Sequence, residues 1–323
     1  MDIKLPGHGA VERPDHLKVK DRVAGAVPPF DWSKIQEDSV GVVPGLFHIA
    51  DRDQGGSSSC TCQATGYGFA YTTGIEVSRQ DMYSNVALPG GGAYLNAPLD
   101  FLRGNGYVLL SKFPDPHPET EGNMTQKLLV LVGDRIRTFE LKYTFYPDLT
   151  IDSAAHAISE HQYIHLGIRG SWVNGFSPSW IDPRYTQNDW QHALFAGKES
   201  IVLRNGVPAI KTKSSWCEHT DPAGHQVYCH YINKSYFDAG GVFEIIGVDI
   251  RETNDMGQLV TADGKTVWYI SNGFRFWVLD PATLNQGSGK LWSVPPVQMT
   301  EPQLMAIPYG GAMFLSATDS PKS

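Results

Sequence analysis

Cys60 stands behind a run of small polar residues, Asp53-Gln54-Gly55-Gly56-Ser57-Ser58-Ser59, and ahead of apolar or aromatic residues at helical spacing, Ala64, Tyr67 and Tyr71. The pattern predicts a helix that begins at Cys60. A thiol there meets unpaired backbone N–H groups and the positive end of the helix dipole, both of which favour the thiolate. The thiolate is the form that attacks carbonyl carbon, so the chemistry suggested is nucleophilic acyl transfer. Cys62 is the competing nucleophile. Two residues apart on a helix, the two thiols point to different faces, so only one can enter a groove; the Gln-to-Cys spacing favours Cys60, and Cys62 suits a small buried residue.

The elements around this segment are legible in outline. Ser57, Ser58 and Ser59 offer N-cap hydroxyls. Gly66 and Gly68 weaken an isolated helix, so the helix must lie close against something. Gly90-Gly91-Gly92 predicts a loop, and Asn96 with Pro98 starts a helix carrying Leu99, Phe101 and Leu102 that Gly104-Asn105-Gly106 ends. Ser153 would cap a short helix over 154–159, followed by the apolar run Tyr163 to Ile168. From there the chain turns strand-rich. His192 to Ala196 and Ser200 to Leu203 lead into Asn205-Gly206, a strong hairpin signal, with Val207 to Thr212 returning. Val242 to Val248 reads as a buried strand. Asp263-Gly264 and Asn272-Gly273 divide 259–261, 266–271 and 274–279 into a three-stranded meander. Helices first and antiparallel strands later imply an α+β fold with two unlike halves.

Composition narrows the function. The chain has 323 residues, 41% of them hydrophobic, enough for a substantial core. A formal charge of −8 argues against nucleic acid as a partner. No run of 18 apolar residues offers a membrane span, and Met1 to Pro6 lacks the pattern of a secretory signal. Four cysteines do not make a disulfide framework at this length. A cytoplasmic or virion-associated location is the expectation.

Five segments, in order, resemble the papain-like cysteine peptidases over about Pro28 to Ile250. Phe30-Asp31-Trp32 resembles the start of the mature enzyme, and Gln54 through Cys60 the oxyanion Gln and nucleophile segment. Gly90-Gly91-Gly92-Ala93-Tyr94 with the following helix resembles the glycine wall of the substrate groove. His192-Ala193-Leu194, then Asn205-Gly206, then Lys213-Ser214-Ser215-Trp216 resembles the His strand, hairpin and Lys-Asn-Ser-Trp segment; Phe237 to Ile245 resembles the closing glycine-plus-strand element. His192 and Ser214 fall 132 and 154 residues after Cys60, near the family window of about 130–150. The resemblance implies a two-lobe papain-like fold, an N-terminal helical lobe (about 45–150) and a C-terminal antiparallel β-barrel-like lobe (about 151–250). Residues 1–27 would be an arm or short pro-like extension and 251–323 a β-rich extension. It further implies Cys60 as nucleophile, His192 as its acid–base partner, Ser214 in the place of the orienting Asn, and Gln54 with the Cys60 N–H as oxyanion donors. Gly91, Gly92, Tyr94, Gln191 and Trp216 would line the groove for a peptide or protein substrate, with no cofactor.

Thr61 stands where the family has an aromatic residue, and Ser57 takes the place of its disulfide cysteine. His225 with Asn272 is a fainter copy of the His-then-Asn pattern and a rival pair. Cys217, His219, His225, Cys229 and His230 are close in sequence, so a structural zinc, a Cys217–Cys229 disulfide and unlinked loop residues are all open. His156, His161 and His165 read as helix-surface and strand residues rather than ligands. Trp172, Trp180, Tyr185 and Trp190 form either an aromatic cluster under a long loop or a groove wall. A rival function keeps the fold without the chemistry: a structural or binding subunit of an assembly such as a virion or tail, associating through the C-terminal extension as a homo-oligomer or with an assembly partner.

Overall fold

A computed structural model describes residues 9–18, 23–39, 41, 46–130, 134–136, 139–170, 190–216, 219–220, 226–252, 258–261, 268–271, 274–278, 297–298, 300–305 and 309–313. Its helices are α1 (Asp15–Lys18), α2 (Cys60–Thr73), α3 (Arg79–Val86), α4 (Ala97–Asn105), α5 (Glu121–Met124), α6 (Ile151–Glu160), α7 (Lys234–Asp238) and α8 (Glu301–Met305). None among the described residues is long and apolar enough to cross a membrane. The strands are β1 (Ala10–Val11), β2 (Ala93–Tyr94), β3 (Phe139–Phe145), β4 (Tyr163–Gly170), β5 (Trp190–Ala196), β6 (Ile201–Arg204), β7 (Val207–Lys213), β8 (His219–Thr220), β9 (Gln226–Val227), β10 (Cys229–Asn233), β11 (Val242–Glu252), β12 (Gln258–Thr261), β13 (Trp268–Ser271), β14 (Phe274–Val278), β15 (Val297–Gln298) and β16 (Tyr309–Met313).

The chain divides into two units, one of residues 1–129 and 141–250 and the other of 130–140 and 251–323. In the first, helix α2 is buried along its first ten residues, which explains why it has no polar stripe. Gly68 shows why the sequence tolerates a poor helix former there: a Cβ would lie 2.2 Å from the Tyr163 ring of β4. Helix and sheet approach closer than any side chain allows, as the two glycines lead one to expect.

The sheet of this unit is curled and seven-stranded in the order β10-β7-β5-β4-β11-β3, with β6 paired to β7. It draws in β3, which lies before the boundary near 151 that the sequence suggests. Every residue of the central strand β5 is buried. Helix α6 covers one face, burying Ile151, Ala154, Ala157 and Ile158 in one cluster with Leu166, Leu194, Ile210, Ile232 and Ile245. This helix starts earlier than Ser153 implies: the Thr150 side chain accepts from the Ser153 N–H at 3.1 Å, making Thr150 the cap. Asp152 in its first turn also takes the Trp32 indole N–H at 2.7 Å, pinning the Phe30-Asp31-Trp32 segment.

The second unit holds a five-stranded sheet ordered β15-β12-β13-β14-β16. Strands β12, β13 and β14 form the antiparallel meander the turn signals predict, with parallel strands β15 and β16 at the edges.

Candidate active site

Cys60 is the first residue of α2, and its side chain is wholly buried. The sulfur is covered by the chain's own N-terminal strap. A Cβ built on Gly9 would sit 2.6 Å from Cys60 Sγ, so only glycine lets the backbone lie this close to the thiol. From there the strap runs on as β1, parallel to β2, with Ala10 opposite Ala93 and Val11 opposite Tyr94. Ala93 N donates to Gly9 O at 3.0 Å, Gly9 N to Gln191 O at 3.3 Å, and Glu12 N to Gln191 Oε1 at 3.0 Å. Arg13 then anchors it: Nε and Nη2 both donate to Glu244 Oε1, at 2.9 and 2.7 Å, with both side chains buried and the guanidinium 4.0 Å over the Phe145 ring. Arg169 adds a 2.8 Å ion pair to Glu12. Tyr94 and Gln191, expected to line a substrate groove, here hold a strand of the same chain.

Across from α2, strand β5 carries His192. Nε2 lies 3.0 Å from Ser214 Oγ, and the Trp216 ring stacks on the imidazole at 3.8 Å and 11°. Trp190 meets Trp216 edge-on at 5.8 Å, so this one of the four aromatic residues serves as packing. Ser214 Oγ also accepts the Trp216 N–H at 3.0 Å. A plain two-residue hairpin would leave Ser214 several residues away from His192. The register is reset by the 3-10 turn Lys198–Ser200 between β5 and β6, so that Phe195 pairs with Lys213 and the chain beyond runs back along β5 toward His192. The hairpin itself is as expected, with Arg204 opposite Val207 and Asn205 and Gly206 at φ of 53° and 73°.

The Gln54 turn joins the two halves. Gln54 N donates to Ser215 O at 3.1 Å, and Ser215 Oγ donates to Gln54 Oε1, which leaves Nε2 to donate to Ser57 O at 2.7 Å. Tyr67, on α2, donates to Ser214 O at 3.3 Å. The serines before Cys60 are not caps by their hydroxyls: Ser59 makes no side-chain capping bond. Instead Ser59 Oγ donates to the buried Glu119 carboxylate at 3.1 Å, and Ser58 N donates to Glu121 Oε2 at 2.8 Å. Glu121 Oε1 accepts from Tyr83 OH at 2.6 Å, and Tyr83 OH accepts the Gly92 N–H at 2.8 Å. Gly91 would set a Cβ 3.2 Å from Ser58 Oγ. The glycine wall and the nucleophile turn are therefore braced by the same carboxylate.

Burial dominates the electrostatics. It pushes the Cys60 thiol up to about 12, against nearby backbone N–H groups of Ala193 and Thr61, and pushes His192 down to about 3. Among the described residues His192 Nδ1 has no hydrogen-bond partner. With the strap in place Cys60 is therefore a neutral thiol and His192 a neutral imidazole, not the thiolate that a helix N-terminus alone suggests. Desolvation outweighs the dipole here.

Direct contacts tie Gln54 to Ser215, Ser214 to both His192 and Trp216, and the Gly9 strap to Cys60, Ala93 and Gln191, with Gly91 against Ser58. Among the described residues no hydrogen bond joins Cys60 to His192. Cys62 is buried, its thiol held well up by desolvation. His225, Asn272, Cys217, Trp172, Trp180 and Tyr185 lie outside the described residues, and with them the rival pair and the Cys217–Cys229 bridge. His156 contacts Pro28 O and His161 contacts Asp249; no group of three or more metal-ligating residues occurs among the described residues. Sequence reasoning missed Ser215, Glu119, Glu121 and the Gly9 strap. Only the Glu-x-Glu spacing after Pro118 could have drawn attention to the carboxylates.

The fold is the two-lobe papain-like one: a helical half built on α2 facing a curled antiparallel sheet. It is similar to xylellain, a cysteine protease from Xylella fastidiosa, with a TM-score of 0.55 and 16% identity over 76% of this chain and 97% of that one. It is also similar to procathepsin L2 from Tenebrio molitor larval midgut, with a TM-score of 0.53 and 15% identity over 75% and 78%. Procathepsin L 3 from the same organism matches with a TM-score of 0.50 and 15% identity over 71% and 76%. No protein-family model and no curated protein matches the sequence.

Proposed function

We propose that this chain is a cysteine-type peptidase, or a hydrolase of related amides, with its groove filled by residues 9–13. The observation that carries the reading is a peptide strand lying against the Cys60 sulfur, hydrogen-bonded to Ala93 beyond the glycine wall on one side and to Gln191, the neighbour of His192, on the other. A groove that holds one extended peptide at the thiol has the shape to hold another.

Once the strap lifts, solvent relieves the desolvation that keeps the pair neutral. In the imidazole tautomer with its proton on Nε2, Ser214 Oγ accepts from that N–H and from the Trp216 N–H, which uses both lone pairs. Nδ1 is then left to take the Cys60 proton. The thiolate attacks the scissile carbonyl carbon, and the oxyanion is held by the Cys60 N–H and the second amide hydrogen of Gln54 Nε2. Loss of one such donor typically raises a barrier by about 3 kcal/mol. The imidazolium returns its proton to the leaving amine, and water, deprotonated by His192, then opens the thioester and restores the thiol. The stacked Trp216 keeps water from the His192–Ser214 bond.

An epoxide-type thiol inhibitor tests the reading: Cys60 should be labelled faster than Cys62, with peptide turnover after strap release. Equal labelling of both thiols and no turnover over a wide pH range would overturn it. The second reading, a papain-fold structural or binding subunit, draws support from the sealed sulfur and from Ser214 in place of an amide. Cys60→Ala separates the two, because it would spare an assembly role and abolish hydrolysis.

A further inference from the structure

Behind the Gln54 turn lies a carboxylate that this chemistry leaves without a task. Glu119 is buried, and Oε2 accepts from Ser59 Oγ at 3.1 Å, from Ser57 Oγ at 3.3 Å and from Gln63 Nε2, in the first turn of α2, at 2.9 Å. Its carbonyl accepts the Gly56 N–H at 3.0 Å. The Ser57 and Ser59 hydroxyls are 2.8 Å apart. Ser57 in turn grips Gln54 twice, its hydroxyl reaching Gln54 O at 2.9 Å and its carbonyl taking Gln54 Nε2 at 2.7 Å. One carboxylate thus reaches the start of the nucleophile helix in one bond and the Gln54 amide in two.

We infer that Glu119 is a positioning residue for the proposed hydrolysis, its ionised carboxylate holding Ser57, Ser59 and Gln63 so that the Gln54 amide and the Cys60 sulfur keep their mutual geometry; the inference rests on the peptidase reading. Ionised, Glu119 only accepts, so Ser59 and Gln63 must both point their hydrogens at it. Protonated, it donates into the serines instead. Ser59 then turns from donor to acceptor toward Glu119 and donates to Ser57 Oγ, and the single Ser57 hydrogen, within reach of both Glu119 and Gln54 O while the carboxylate is ionised, is left to Gln54 O alone. The direction of the two-hydroxyl relay through Ser59 and Ser57 therefore follows the charge on Glu119. Asp115 on the same segment, Arg79 on α3 and the Cys62 thiol on α2 are the charged or titratable groups that face it, while Glu121 is turned to Ser58 and Tyr83. Burial first and then the Asp115 charge push Glu119 up to about 7, which places this change of direction at neutral pH.

The test is the rate of Cys60 alkylation by iodoacetamide in the full chain, peptide-mapped from about pH 6 to about pH 8. The ratio of wild-type to Glu119→Gln rates cancels the ionisation of Cys60 itself. It should rise about tenfold across that window, the lower bound for a hydrogen bond to a charged group, and Glu119→Asp should rise with the wild type. A flat ratio overturns the inference. Ser59→Ala removes one donor from the carboxylate and should move the midpoint to higher pH; an unmoved midpoint overturns it equally, and decides alone if circular dichroism shows Glu119→Gln unfolded. Peptide turnover is followed in parallel. If turnover is absent while the ratio still rises, the peptidase reading falls and the hold of Glu119 on the thiol stands.

Discussion

Replacing Arg13 by methionine should unseal the thiol without touching it. The change keeps the apolar stem against Phe145 and removes both hydrogen bonds to Glu244 Oε1. Breaking such a pair from one side costs about 3 kcal/mol at the lower end of its usual range. The loss acts on strap docking, because Arg13 belongs to the strap while Glu244 belongs to β11. At about 1.4 kcal/mol per factor of ten, the open population should rise about 100-fold. Since Cys60 is wholly buried when the strap is down, its alkylation rate follows that population. The assay is peptide-mapped labelling by iodoacetamide at fixed pH, with Cys62 as an internal reference that should stay slow. In a Glu244→Gln background the Arg13 change should have a smaller effect, because a neutral amide depends less on the guanidinium when the strap is docked. An unchanged Cys60 rate in the Arg13 variant would refute the reasoning, since the thiol would then be guarded by something other than this segment.

Three other outcomes follow from the same geometry. Gly9→Val places a side chain where the Cys60 sulfur lies 2.6 Å from a Cβ, so the strap should be displaced and labelling of Cys60 accelerated, with thermal stability measured alongside. Ser214→Ala removes the His192 Nε2 partner and should lower peptide turnover about fivefold, the worth of one neutral hydrogen bond, while leaving peptide KM nearly unchanged. Stability should fall in acid: His165 is held down to about 4 and His192 to about 3 by burial, so the unfolded chain binds more protons below 6.5. Each imidazole contributes a slope of about 1.4 kcal/mol per pH unit between 6.5 and its folded value, and urea unfolding at several pH values measures it; stability that stays level between pH 6.5 and about 4 would contradict their burial as neutral rings.

What the sequence discloses and what it hides divide by range along the chain. The α2 start at Cys60, the Asn205-Gly206 hairpin and the 258–278 meander are written in neighbouring residues, and the glycines at 66 and 68 foretell the close approach that Tyr163 and Arg79 then make. Capping is less legible. Ser59 looks like a cap because serine usually is one, yet its hydroxyl is claimed by a carboxylate sixty positions away, which no local rule can see. The strap was hidden for another reason: a two-residue strand has no period to detect, and Gly9 has no side chain to announce a partner. The thiol's ionisation also depends on tertiary cover. Helix position predicts a thiolate, while enclosure under Gly9 yields the uncharged thiol.

The short turn Lys198–Ser200 has a bearing on what this scaffold can tolerate. Alternate residues of an extended chain look in opposite directions, so lengthening that connection by a single amino acid would present the wrong side of the 213–216 stretch to the imidazole. Its side chains are engaged as well: Lys198 Nζ donates to Ile158 O and Ser159 O at 2.7 and 2.9 Å, Glu199 accepts from Tyr71 OH at 2.9 Å, and Ser200 is buried. Engineers inserting tags or loops would find this three-residue spacer unforgiving, and at the neighbouring Asn205-Gly206 tip they would have to give up the two backbone N–H bonds to the Glu37 carboxylate.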